Sequence, residues 1–281
     1  MKKLLRKFAV IVLSIVVLGA GAVFVGSEHR LGKTYDIAVA DFHANPGLPV
    51  EEASRRGRTF MCVGCHRSAG NVLFTAPLVG TLVAPNISRI APTYSDGELE
   101  RLIRHGVKKD GTAALVMPSA TFAHLADDDV ANIITWLRTL PEAPDTQPAA
   151  SSFGPLGRLA LALDQLPFEA DHTPAGLPEL AHRPADTGRY LVANTCSHCH
   201  HLQTEAEVEG KVVPPLAVVS QAYSLADFTQ LLRTGIGLGG RELGLMSEVA
   251  RADFSNFDES EIASIHAWLQ TNPQDERPGS H

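Results

Sequence analysis

The sequence predicts an all-α chain, with two tandem helical units of about 90 residues each behind an N-terminal apolar helix. Three observations predict it. A charge-free stretch of twenty residues follows a basic N-terminus. Three segments recur in one order at a nearly constant offset. Each matched segment carries helical periodicity, while strand signals are scarce.

The apolar stretch runs from Phe8 to Ser27, which as a helix at about 1.5 Å per residue spans roughly 30 Å, one hydrocarbon core. Lys2, Lys3, Arg6 and Lys7 precede it and place the N-terminus in the cytoplasm. Residues 1–29 therefore read as a membrane anchor, because Val23, Phe24 and Val25 continue the run past the small-x-small site Ala20-Gly21-Ala22. That site makes a cleaved signal peptide the alternative. Either reading puts residues 30–281 outside the bacterial cytoplasmic membrane, in the periplasm.

The repeat begins with "CVGCH" at 62–66 and "CSHCH" at 196–200, offset by 134. "YSDGELERLIRHG" (94–106) then matches "YSLADFTQLLRTG" (223–235), and "NIITWLRTLP" (132–141) matches "SIHAWLQTNP" (264–273). In the middle pair, Ser95 and Glu98 have capping-box spacing, Leu99, Leu102 and Ile103 form a stripe, and Gly106 fits the stop. Ser224, Asp227 and Gly235 repeat that logic. Acids at Asp127 to Asp129 suit the positive end of the last helix of the first half, and Asp258 to Gln270 is its counterpart. Units of 45–141 and 185–273 follow, with a Pro-rich linker at 142–184 and a disordered tail at 274–281. Within the linker, "GPLGRLALALDQLPFEA" (154–170) is too apolar to hang free and predicts a packed short helix. Units this small bury little core, and a large bound cofactor would supply the missing apolar contacts.

Net charge is −7, but unevenly placed. Four of the 24 basic residues precede the apolar run, where no acid falls, so the remaining 20 face 31 acids. A soluble part with a balance of −11 argues against nucleic acid as a partner. It suits a partner with a basic docking face, or simply keeps the surface solvated.

Chemistry enters with the cysteines. There are four, Cys62, Cys65, Cys196 and Cys199, each pair spaced Cys-x-x-Cys and followed by His66 or His200. Two such sulfurs can add across the vinyl groups of a haem, and the following histidine faces the iron as proximal ligand. Zinc pairs usually lie about 15–20 residues apart, against about 130 here. A thioredoxin-type site needs a βαβ context, and two disulfides leave the histidines unexplained. The pattern predicts two covalently bound haem c groups.

The sixth ligand follows from counting. Of four methionines, Met1 starts the chain and Met61 abuts Cys62, leaving Met117 and Met246, 51 and 46 residues after their histidines. A thioether is a good soft ligand for iron, although methionine also fills core gaps. His105, His124 and His266 are rivals without a histidine at the matching place. The proximal ring should donate its other N–H to a fixed acceptor, for which the carbonyls of Pro77 and Pro215 are expected. His198 and His201 are expected near the haem edge or in solvent.

Both halves resemble class I c-type cytochrome domains, through the Cys-x-x-Cys-His motifs, the downstream Pro-Leu loops, Met117 and Met246, and the final helices with Trp136 and Trp268. The stretch from "APNISRIAPTYSDGELERLIRHG" to "ITWLRTLP" is similar to the haem domains of membrane-bound bacterial cytochrome subunits serving quinone-linked alcohol and sugar dehydrogenases. The resemblance implies that Pro85 and Asn86 lie near the haem propionates. The second half has Pro-Pro-Leu instead of Pro-Asn and Met-Ser instead of Met-Pro, and two motifs stand where those subunits usually carry three haems.

The expected function is single-electron transfer between redox partner proteins, with no small-molecule substrate and no catalytic group of its own. A cytochrome subunit of a membrane-bound dehydrogenase or oxidase complex is the alternative, and a dihaem oxidoreductase such as a peroxidase is a further one.

Overall fold

A computed structural model describes residues 2–66, 69–144, 150–166, 168–173, 180–208 and 210–271. The tail expected at 274–281 lies outside the described residues, as do the linker segments 145–149 and 174–179.

Helix α1 (Lys2–Leu31) carries the whole apolar run and is exposed over most of its length. The first half follows as α2 (Val50–Thr59), α3 (Cys62–His66), α4 (Ile87–Ile90), α5 (Asp96–His105), α6 (Ser119–Phe122) and α7 (Asp127–Thr139). After the linker helix α8 (Pro155–Ala162), the second half repeats the plan as α9 (Thr187–Asn194), α10 (Leu216–Ser220), α11 (Leu225–Thr234), α12 (Leu245–Ala252) and α13 (Glu259–Gln270).

Sequence chemistry explains the boundaries. The Ser95 side chain accepts from the Glu98 N–H at 3.1 Å, and Glu98 accepts from the Ser95 N–H at 2.7 Å, closing the capping box of α5. Gly106 ends that helix in the left-handed region, and Gly235 ends α11 in the same way. Asp258 and Glu261 make a second capping box at α13.

The chain is not purely helical. In each half a hairpin follows the cysteine motif: β1 (Asn71–Ala76) with β2 (Gly80–Ala84), and β4 (Ala206–Val208) with β5 (Lys211–Val213). From the linker, β3 (Ser152–Phe153) adds to β2. Val72, Leu73 and Phe74 run together without the alternation that marks a strand, and the pairing register shifts between Val72 and Phe74.

In each half the first and last helices cross, α2 on α7 and α9 on α13. Glycine permits the approach. A Cβ at Gly57 would fall 2.4 Å from the Trp136 ring, and one at Gly188 would fall 2.2 Å from the Ser264 carbonyl oxygen. Gly57→Ala is therefore expected to lower stability by about 2 kcal/mol, read as a drop in denaturant midpoint. Helix propensity alone would predict a gain of up to about 1 kcal/mol.

The two halves share one apolar core. Phe60, Leu125, Ile134 and Trp136 belong to the same buried cluster as Leu191, Phe254, Phe257 and Ile265. Each short unit thus adds buried apolar contacts to its neighbour's.

A chain of charges crosses the same boundary. Asp129, fully buried, accepts two bonds from Arg183 (2.7 and 2.8 Å) and one from the Tyr190 hydroxyl (2.7 Å). Arg183 also donates to Glu261 (2.5 Å), which accepts a second bond from Arg55 (2.6 Å). Asp129 and Glu261 occupy equivalent places in α7 and α13. Glu52 links Arg55 and Arg56, and its hydrogen bonds to them, Arg55 foremost, hold its carboxyl down to about 2.

Candidate functional site

Each cysteine motif is launched from the end of its half's first helix. After α2, Met61 adopts positive φ and turns the chain into α3, which holds Cys62, Cys65 and His66. After α9, a 3₁₀ turn over Cys196–His198 leads to Cys199 and His200. None of the four cysteines is in a disulfide. Burial pushes the Cys62 thiol up to about 12 and the Cys196 thiol to about 11, and raises that of Cys65. Protonated thiols are poor zinc ligands and poor redox nucleophiles. Among the described residues no three His, Cys, Asp or Glu side chains gather to hold a metal ion.

The histidines are fixed by carbonyls that sequence reading misplaced. His66 Nδ1 lies 2.8 Å from the carbonyl of Pro85, and His200 Nδ1 lies 2.9 Å from that of Pro214. Since a carbonyl only accepts, each ring carries its proton on Nδ1 and presents an Nε2 lone pair. Pro77 was expected to fill this role, but it sits in the β1–β2 turn. Pro215 was the other expected acceptor, but it caps α10. The physical reason is the hairpin. It carries the chain out and back, so the acceptor is the proline just after the second strand in both halves. Burial lowers the pKa of both rings, against the opposing pull of the carbonyl, and favours the neutral form that a metal needs.

Met117 lies in the loop before α6, and Met246 is the second residue of α12. Both are partly buried and pack on the shared core, as do Cys62 and Cys196. Among the rivals, the His266 Nε2 is bound to the Tyr223 carbonyl at 2.9 Å. His105 and His124 are half-buried, with burial lowering both pKa values. Asn86 is the N-cap of α4, accepting from the Ser88 N–H at 3.2 Å and donating to the Ala143 carbonyl at 2.9 Å.

The two motifs are brought together across the shared core. Cys199 is near enough to Cys65 to act on its ionisation. The ring of His198, between the second pair of cysteines, packs edge-on against Phe122 of the first half at 5.6 Å. The position matching His198 is Gly64, where a Cβ would lie 3.1 Å from a carboxyl oxygen of Asp253 in the second half. Asp253 is followed by Phe254, the repeat partner of Phe122. Each motif thus rests on the corresponding segment of the other half. His201, by contrast, faces Thr204 (3.1 Å) within its own loop.

Asp253 escaped sequence reading, because nothing local marks it. It is fully buried, and among the described residues neither carboxyl oxygen has a hydrogen bond of ordinary geometry, the Gly64 amide being its nearest approach to one. Burial pushes its pKa up to about 7, against the weaker pull of the Gly64 amide and Arg58.

The donor set fits a c-type haem at each motif: two thiols outside any disulfide, an imidazole whose Nδ1 is held by a carbonyl, and one methionine per half. No family model matches the chain. Over 268 residues it is 29% identical to the alcohol dehydrogenase (quinone) cytochrome c subunit of Gluconacetobacter polyoxogenes, covering 80% of this chain and 56% of that protein. Over 251 residues it is 22% identical to the fructose dehydrogenase cytochrome subunit of Gluconobacter japonicus, covering 75% and 50%. Over 280 residues it is 29% identical to the gluconate 2-dehydrogenase cytochrome c subunit of Pantoea cypripedii, covering 86% and 63%. The chain therefore spans about half to three-fifths of the length of these relatives. Their common character, the cytochrome c subunit of a dehydrogenase, supports a cytochrome c family for this chain.

Proposed function

We propose that the chain is a two-haem cytochrome c subunit that receives electrons from a dehydrogenase partner and passes them on singly at the periplasmic face of the cytoplasmic membrane. The comparisons favour this reading over that of a free-standing carrier. The observation that carries it is the repeated histidine geometry, in which Nδ1 donates to the proline after the hairpin and Nε2 is left for iron.

In this reading Cys62 and Cys65 hold one haem and Cys196 and Cys199 the other. Bound haem supplies a one-electron redox centre, and the protein does the rest. Proline carbonyls orient the two imidazoles, and Met117 and Met246 would supply a further ligand to each iron, which favours a high potential. The common core holds the two motifs against each other. The chain has no catalytic role of its own, and the substrate belongs to the partner. Helix α1 acts as a retained anchor.

The Cys196→Ser/Cys199→Ser variant is expected to keep one covalent haem per chain, read by intact mass and by halved haem absorbance. A methionine-to-iron charge-transfer band in the oxidised protein, weakened in Met117→Ala and in Met246→Ala, tests the axial ligands. A resting high-spin haem would instead favour a dihaem oxidoreductase such as a peroxidase.

A further inference from the structure

Helix α8 leaves one face uncovered. Leu156, Leu159 and Leu163, spaced by three and four residues, are between 39% and 61% exposed, whereas Gly157 and Leu161 are buried. Exposed Leu78 adjoins this stripe, since its carbonyl accepts from the Leu156 N–H at 2.9 Å. Clustered aliphatic surface of this kind marks a contact with something apolar.

The position of the stripe identifies that contact. Helix α8 packs on the last turns of the apolar run of α1. A Cβ at Gly26 would lie 3.2 Å from the Cβ of Ala162. Arg158 stacks on the Phe24 ring at 4.4 Å and donates to Ser27 (2.8 Å) and Glu28 (2.6 Å). Phe24 precedes the end of the run by three residues, about 4.5 Å along the helix. Charges begin just beyond. Arg30 pairs with Asp164 at 2.8 Å and with Asp171, and Lys33 and the Tyr35 hydroxyl reach Asp171 at 2.6 and 2.7 Å. An apolar ring followed by a belt of charge is the order of a membrane boundary. The stripe is purely aliphatic, without the aromatic or arginine anchors that concentrate binding energy in protein interfaces.

We infer that α8 is a second membrane contact, its leucine stripe seated in the acyl–headgroup boundary of the leaflet at a depth fixed by α1. Through β3, paired to β2, the contact ties the first half to the bilayer and fixes the face it turns to lipid. The inference rests on the reading of α1 as a retained anchor.

The test uses the full haem-loaded chain in phosphatidylcholine–phosphatidylglycerol nanodiscs containing a lipid with a photoactivatable diazirine near the headgroup. After irradiation, adducts are mapped by peptide mass spectrometry. Adducts are expected on residues 155–166 as well as on α1. In Leu156→Gln/Leu159→Gln/Leu163→Gln, with an unchanged circular dichroism spectrum, those on α8 should fall roughly tenfold while those on α1 persist. Adducts on α1 alone overturn the inference. So does an unlabelled α8 in a chain whose triple variant loses a co-purifying protein, which would assign the face to that partner. Adducts on α8 without α1 keep the contact but overturn the anchor reading.

Discussion

Arg183→Ala is expected to destabilise the protein by about 3–5 kcal/mol, the largest effect of any single substitution outside the cysteine motifs. Among the described residues the arginine is the only side chain that bonds both Asp129 and Glu261, and both acids are buried. Removing it leaves Asp129 fully buried with the Tyr190 hydroxyl, and with Arg56 at 3.4 Å in place of a bidentate partner. An uncompensated buried charge is what makes broken interior pairs so harmful. The loss also reaches both halves at once, since Asp129 lies in the first turn of α7 and Glu261 closes the capping box of α13. Urea denaturation of the wild type and variant, each with haem attached, measures the difference. The transition should remain single, because the halves share one core. A loss below about 1 kcal/mol would show the network to be a solvated surface array.

Asp253→Asn is expected to change the pH dependence of stability. The folded carboxyl is raised from 3.8 to about 7 by burial, so the folded state binds the extra proton between those values. Stability is then fully present below about pH 4 and falls as pH rises through 7. At about 1.4 kcal/mol per pH unit the loss over this whole interval is about 4–5 kcal/mol. The asparagine variant should lack this loss and should exceed the wild type at pH 8. Denaturant midpoints at pH 5 and pH 8 decide it. With a haem on Cys62 and Cys65, as proposed, an ionised carboxylate against Gly64 would favour its oxidised form. The variant should therefore raise that haem's midpoint potential at pH 8 more than that of the other haem.

The parts legible in sequence were those encoded by local spacing. The repeat stood out through the cysteine motifs, and the middle helix of each half through the caps at Ser95 and Ser224 and the stops at Gly106 and Gly235. The linker helix was legible from its apolar run. The hairpins were not read, although "NVLFTAPLVGTLVA" and "AEVEGKVV" each hold a turn between β-branched residues. Without them the acceptors shifted from Pro85 and Pro214 to neighbouring prolines. Asp253, Arg183 and the meeting of His198 with Phe122 could not be read at all. They arise where one half packs on the other, and residues over 50 positions apart carry no local signature of that contact. Gly57 and Gly188 were a missed signal of a different kind. Each sits within a helix where propensity disfavours it, and each faces the last helix of its own half.

The central claim, a haem at each of two equivalent motifs, is tested most directly by intact mass spectrometry of the chain expressed with the periplasmic haem-attachment machinery. The expected mass is that of the chain plus two haems, falling by one haem in Cys62→Ser/Cys65→Ser and by one in Cys196→Ser/Cys199→Ser. A wild-type chain carrying no haem, or only one that is lost from the same motif in every preparation, would contradict it.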